Sequence, residues 1–157
     1  MKRIESELIE TLIKKNIQFK IIEGYNARLI LEKTALKFTK TKSLNYPMWD
    51  NLNDWLGIDF AFSWEWLPDF IKGRTIYLFT DQDDIKDKIF IIENGDILPL
   101  VLQNCSGFTF YITNLDNSYL ICYNDHDNLI VCGEAVSWLA NYEIVIKNDL
   151  KIYQSEN

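Results

Sequence analysis

Apolar positions recur at helical spacing at the start of the chain. Ile4, Leu8, Ile9, Leu12 and Ile13 fall on one side of a helix predicted over residues 3–16. Glu5, Glu7 and Glu10 come early in it and Lys14 and Lys15 late, which complements the helix dipole. Ile17, Phe19 and Ile21 then alternate with Gln18 and Lys20, the period of a short strand that Gly24 breaks. Ala27, Ile30, Leu31, Ala35 and Phe38 return to helical spacing and predict a second helix over residues 26–38. Residues 39–57, rich in Thr, Lys, Ser and Asn and carrying Pro47 and Gly57, read as loop.

A dense aromatic block follows: Tyr46, Trp49, Trp55, Phe60, Phe62, Trp64, Trp66 and Phe70. Ile58, Phe60, Phe62, Trp64 and Trp66 share one parity, which suits a strand with an aromatic face; a helix beginning near Trp64 and stopping before Pro68 is the competing reading. From residue 74 the pattern is mainly strand. Arg74 to Thr80, Lys88 to Glu93, Phe108 to Thr113, Tyr119 to Tyr123 and Leu129 to Cys132 are strands joined by polar turns. Residues 97–103 form a short helix with Pro99 in its first turn, where the missing N–H does no harm. Glu134 to Leu139 fits a closing helix, and Tyr142, Ile144 and Ile146 a last strand. Helices first and strands later give an α+β class: a mainly antiparallel sheet of five to six strands, with the N-terminal helices and a short C-terminal helix on it. No repeat, linker or boundary divides the 157 residues, so one domain is expected.

Composition adds a large potential core, with 14% aromatic and 48% hydrophobic residues. No apolar run approaches the length of a membrane span and no leader is visible, so a cytoplasmic protein without a membrane partner is expected. Cys105, Cys122 and Cys132 form no C-x-x-C pair, which argues against a disulfide scaffold or a zinc site and for reduced thiols. The net charge of −7 is unevenly spread. Residues 1–42 hold 10 Lys and Arg against 5 Asp and Glu, whereas residues 43–157 hold 6 against 18. The acidic part does not suit phosphate backbones, and no nucleic-acid partner is expected.

Candidate chemistry falls in three places. Asp81, Asp83, Asp84 and Asp87 crowd one turn; the glycine and distal glutamate of a calcium loop are missing, so the turn reads as a solvated hairpin tip or a surface for a basic partner. The aromatic block serves either as core or as an exposed patch, with Trp64 and Trp66 as anchors beside those aspartates. Asn124, Asp125, His126 and Asp127 hold the lone histidine between carboxylates, which suits either a hairpin turn or a general base in a metal-assisted hydrolase or nucleotide-processing enzyme. An aromatic-lined ligand module is a third functional class. Phosphate-binding loops and nucleophile elbows are absent, so no catalytic set, resident metal or cofactor is expected.

Leu67-Pro68-Asp69-Phe70-Ile71-Lys72-Gly73 resembles the leucine–proline–acid–aromatic motif of the SUKH superfamily, which holds relatives of the yeast cell-wall synthesis regulator and many bacterial toxin-immunity proteins. The later paired strands and the helix at Glu134 to Leu139 are similar too, and the stretch Tyr119 to Gly133 resembles small bacterial domains with an Asn-x-His-Asp turn. The likeness covers roughly residues 60–140. Lys72-Gly73-Arg74 departs from it where an Asn-Gly pair usually follows, and no site residue carries over. The resemblance implies a non-enzymatic, intracellular binder of a protein partner such as a basic toxin domain.

Overall fold

A computed structural model describes residues 3–83 and 85–156; Asp84, singled out in the acidic turn, lies outside them. The amphipathic start folds as helix α1 (Arg3–Lys14), and the alternating segment after it as strand β1 (Phe19–Glu23). Helix α2 (Gly24–Phe38) begins at the glycine, whose φ of +66° turns the chain sharply out of β1.

The meander follows as predicted, with slightly shifted bounds: β3 (Ile76–Thr80), β4 (Lys88–Ile92), β5 (Phe110–Thr113), β6 (Tyr119–Tyr123) and β7 (Asn128–Gly133). Helix α4 (Leu98–Gln103) carries Pro99 in its first turn, and α5 (Ala135–Ala140) closes the meander.

The chain is α+β, and the described sheet has eight antiparallel strands rather than five or six, in the order β1-β4-β3-β5-β6-β7-β2-β8. The two extra strands are β2 (Leu56–Asp59), which begins inside the predicted 39–57 loop, and β8 (Tyr153–Gln154). Both are short, and β2 is defined by pairing with β7, which sequence periodicity does not register. The loop also contains a 3-10 turn at Met48–Asn51.

Two further expectations fail. The aromatic block is not one strand: it ends β2 at Asp59, bends, makes a 3-10 turn over Ser63–Trp66 and enters helix α3 (Leu67–Ile71). The competing reading holds in part: helical structure begins near Trp64 as that 3-10 turn, but it runs on into α3 instead of stopping before Pro68, which sits in the first turn of α3 where no hydrogen bond needs its nitrogen. Residues 142–146, predicted as strand, form helix α6 (Glu143–Lys147), with only Val145 buried and Ile144 and Ile146 exposed.

Strand parity divides the core between two faces. Leu78, Phe110, Ile112, Ile121 and Val131 point to a layer built by α1, α3, α4 and α5, with Val145 of α6 joining it. Phe79, Tyr111, Leu120, Cys122 and Cys132 point to the opposite layer, built by Ala27, Leu31, Ala35 and Phe38 of α2 with Met48 and Leu52. Burial on both faces explains why β3, β5 and β6 read as nearly continuous apolar runs. Helices thus cover both sides of the sheet and leave its ends to the loops.

Candidate functional site

Register fixes which loops meet at one end of the sheet. Thr80 pairs with Phe110, Phe110 with Tyr123, Tyr123 with Leu129, and Asn128 with Asp59. The ends of β3, β6 and β2 and the starts of β5 and β7 are therefore side by side. The 81–87 turn, the 104–109 connection, the 124–127 turn and the chain after Asp59 converge there. Two acidic turns more than 35 residues apart in the chain become neighbours, and Asp125 acts electrostatically on Asp81.

The 124–127 turn is built by Asn124. Its buried side chain accepts hydrogen bonds from the backbone N–H groups of His126 (3.0 Å) and Asn128 (3.1 Å), a local bond that fixes the turn. Asp127 takes the left-handed conformation at φ 59°, which aspartate tolerates. Asp125 and Asp127 are left exposed and line a cleft. His126 does not: its ring stands edge-on to Trp49 at 6.0 Å, and Nε2 lies 3.7 Å from its neighbour Asp125. Among the described residues no three His, Cys, Asp or Glu side chains gather as metal ligands.

The cleft has a volume of ≈ 680 Å³ and lies between the Ser63–Trp66 turn, the 104–109 connection and the 124–127 turn. Its best-anchored wall is Tyr123. The Tyr123 hydroxyl donates to Asp127 Oδ1 at 2.7 Å and accepts from the Phe62 backbone N–H at 3.0 Å. Burial, helped by that carboxylate, pushes the hydroxyl up to about 12, so it stays a donor. Phe62 is held at φ 62°, a conformation rare for a bulky side chain, and the residue is 64% exposed. Strain of this kind costs on the order of 1–3 kcal/mol and persists where neighbours over-determine it. Trp64, half-buried, meets the Phe62 ring edge-on at 6.1 Å.

The opposite wall is tied to α1. Ser106 donates its backbone N–H to Glu7 Oε2 (2.7 Å) and its hydroxyl to Oε1 (2.8 Å), and the backbone bond foremost lowers the Glu7 pKa. Phe108 continues this wall, and Glu65 and Asp125 stand at its rim.

The 81–87 turn lies at the same end of the sheet, with Asp81 turned toward the α2 face through Tyr111. Asp81 is half-buried and accepts from the Tyr111 hydroxyl at 3.3 Å; burial raises its pKa, the hydrogen bond lowers it, and Asp125 and Asp83 raise it further. Tyr111 in turn accepts from the Trp49 N–H at 3.1 Å and stacks on Phe79 at 5.0 Å. Asp83 is fully exposed, with Lys86 Nζ at 3.8 Å. Lys88 is neutralised locally between Glu5 (2.7 Å) and Glu23 (3.4 Å).

The structure therefore brings Asp81, Asp83, Asp125, Asp127 and Trp64 to one end of the sheet. Of the two readings open for Trp66, core or exposed anchor, the structure gives core: it is 8% exposed and packed against Phe60 and Tyr142 at 5.2 Å each. Sequence reading missed Glu65, placed on the polar side of a strand that does not exist, and Tyr123, which looked like one more strand residue. No local signal marks either one, because their roles arise from contacts across the fold. A second cleft of ≈ 460 Å³ beside β2 is lined by Trp49, Trp55 and Tyr153 and mixes Lys40 with Asp50 and Asp59. No helix among the described residues is long and apolar enough to cross a membrane. In comparisons with known proteins, no family model, no curated protein and no solved structure matches the chain.

Proposed function

We propose that this chain is a non-enzymatic, intracellular protein-interaction domain of the immunity-protein type, which binds a basic protein partner with the acidic end of its sheet. The observation that carries this reading is the convergence there of two acidic turns with exposed aromatic rings. Carboxylates on one surface steer a basic partner toward it and raise the association rate. Rings beside them supply contact area that binds tightly once water is displaced. The SUKH-like motif at residues 67–73 is in keeping with a binder of a toxin domain.

The test is capture of partners from cells that carry the protein, comparing the natural chain with an Asp83→Lys, Asp87→Lys double variant at two salt concentrations. Both residues lie outside the cleft, Asp83 is exposed and Asp87 only half-buried, so the variant should fold. The expected result is a basic protein held by the natural chain, weakened by salt because surface charges are screened beyond ~10 Å at 0.1 M, and lost from the variant. Retention by the variant, with no response to salt, overturns the reading.

A further inference from the structure

The cleft carries a more specific chemistry than its acidic surroundings. Among the described residues that line it there is no lysine, arginine or histidine, whereas Glu65, Asp125 and Asp127 stand at its rim. Phe62, Trp64, Phe108 and Tyr123 form its walls. Phe62 is kept in place, against its own backbone preference, by the Tyr123 hydroxyl, which also orients the Asp127 carboxylate. Ring faces are electron-rich and attract cations, and carboxylates at the rim complete the charge. The second cleft lacks this uniform sign, because Lys40 sits within it.

We infer that the cleft is a guanidinium site, which receives an arginine side chain presented by the partner. Planarity favours guanidinium over ammonium. It stacks on an aromatic ring and still offers in-plane donors to a carboxylate, whereas an ammonium is a compact, strongly hydrated charge that loses more on leaving water. The cleft volume of ≈ 680 Å³ is within the usual range for small-ligand pockets and leaves ample room for one arginine side chain. This inference rests on the proposed basic partner and adds the residue type that the partner inserts.

Calorimetric titration of the full chain with three short peptides tests it: one bearing arginines, one with lysines in their place, and one with citrullines, which keep the planar shape and lose the charge. The arginine peptide should bind about tenfold more tightly than the lysine peptide, and the citrulline peptide should not bind measurably. Glu65→Gln with Asp125→Asn, both at exposed positions, should weaken the arginine peptide by about tenfold or more, while Asp83→Lys should change it far less. Equal binding of the arginine and lysine peptides, or an arginine affinity untouched by the Glu65→Gln, Asp125→Asn variant, overturns the guanidinium site. Neither outcome touches the acidic-end reading, which stands or falls on capture with the Asp83→Lys, Asp87→Lys variant. If the peptides behave as expected and no basic protein is captured, the partner reading falls and the cleft remains a site for free guanidinium compounds.

Discussion

Tyr123 joins two segments that lie about sixty residues apart. Its hydroxyl satisfies the Phe62 N–H and holds Asp127 at once. Replacing it by phenylalanine leaves that backbone group without its partner in the left-handed turn, and a lost hydrogen bond to a charged group adds to the cost. Tyr123→Phe is expected to lower unfolding stability by about 1.5–3 kcal/mol, read by denaturant titration. It should also weaken binding of the arginine peptide, since both Phe62 and Asp127 lose their anchor. A variant as stable as the natural chain would mean that Phe62 is held by other contacts. Part of the site was legible residue by residue: Asp81, Asp83, Asp125, Asp127 and Trp64 stood out by charge or ring size. Tyr123 and Glu65 did not, because what distinguishes them is the partner across the cleft rather than their sequence neighbours. Trp66 stood out for the same reason as Trp64 and proved to be core, since ring size alone does not distinguish anchor from filling.

At the scale of elements, the meander was readable because alternation and polar turns act locally, and its long apolar strands survive burial on both faces. The aromatic block was not readable. Its period-two spacing is real, yet only Leu56–Asp59 finds a neighbouring strand to pair with, and the rest folds into short turns around Trp66 and Phe70. Helix α6 misled for a related reason: Tyr142, Ile144 and Ile146 share strand parity, but no strand edge is offered to them and only Val145 is fully buried. The end of β7 shows the converse, a single residue on which element packing depends. Gly133 has φ +66°, and a Cβ there would lie 2.4 Å from the Ser118 carbonyl oxygen and 3.0 Å from Tyr119 Cα. Both neighbours are backbone, so neither yields cheaply. Gly133→Ala is expected to destabilise the fold by roughly 3 kcal/mol or more, combining left-handed strain with a clash between β6 and β7. A thermal midpoint within a degree or two of the natural chain would refute this.

Across the whole molecule, several thiols and phenols are held in their neutral form by full or partial burial. Burial pushes Cys132 and Tyr119 up to about 12 and Cys105 up to about 11, and it raises Tyr111 and Cys122 further. In the unfolded chain these groups ionise nearer their ordinary values, from pH ~8.5 for thiols and ~10 for tyrosines. Between those values and the raised ones the unfolded chain binds fewer protons than the folded one, so stability falls as pH rises. Thermal midpoints measured from pH 7 to 11 should decline above about pH 9, and thiol reagents at neutral pH should modify the native protein far more slowly than the unfolded chain. A flat profile would mean that these groups titrate alike in the folded and unfolded chain.

The sheet order has a consequence for how the chain is made. Strand β2 lies between β7 and β8, so residues 56–59 have no strand to pair with until residues 128–133 exist. Strand β1 likewise waits for β4. During synthesis the acidic β3–β4 hairpin can form early, but the segment that completes the cleft, Phe62 and Trp64 just after β2, is set in place only when the β6–β7 hairpin has left the ribosome. A nascent chain halted before residue 128 would already display the carboxylates of the 81–87 turn, and would still lack the means to hold a partner.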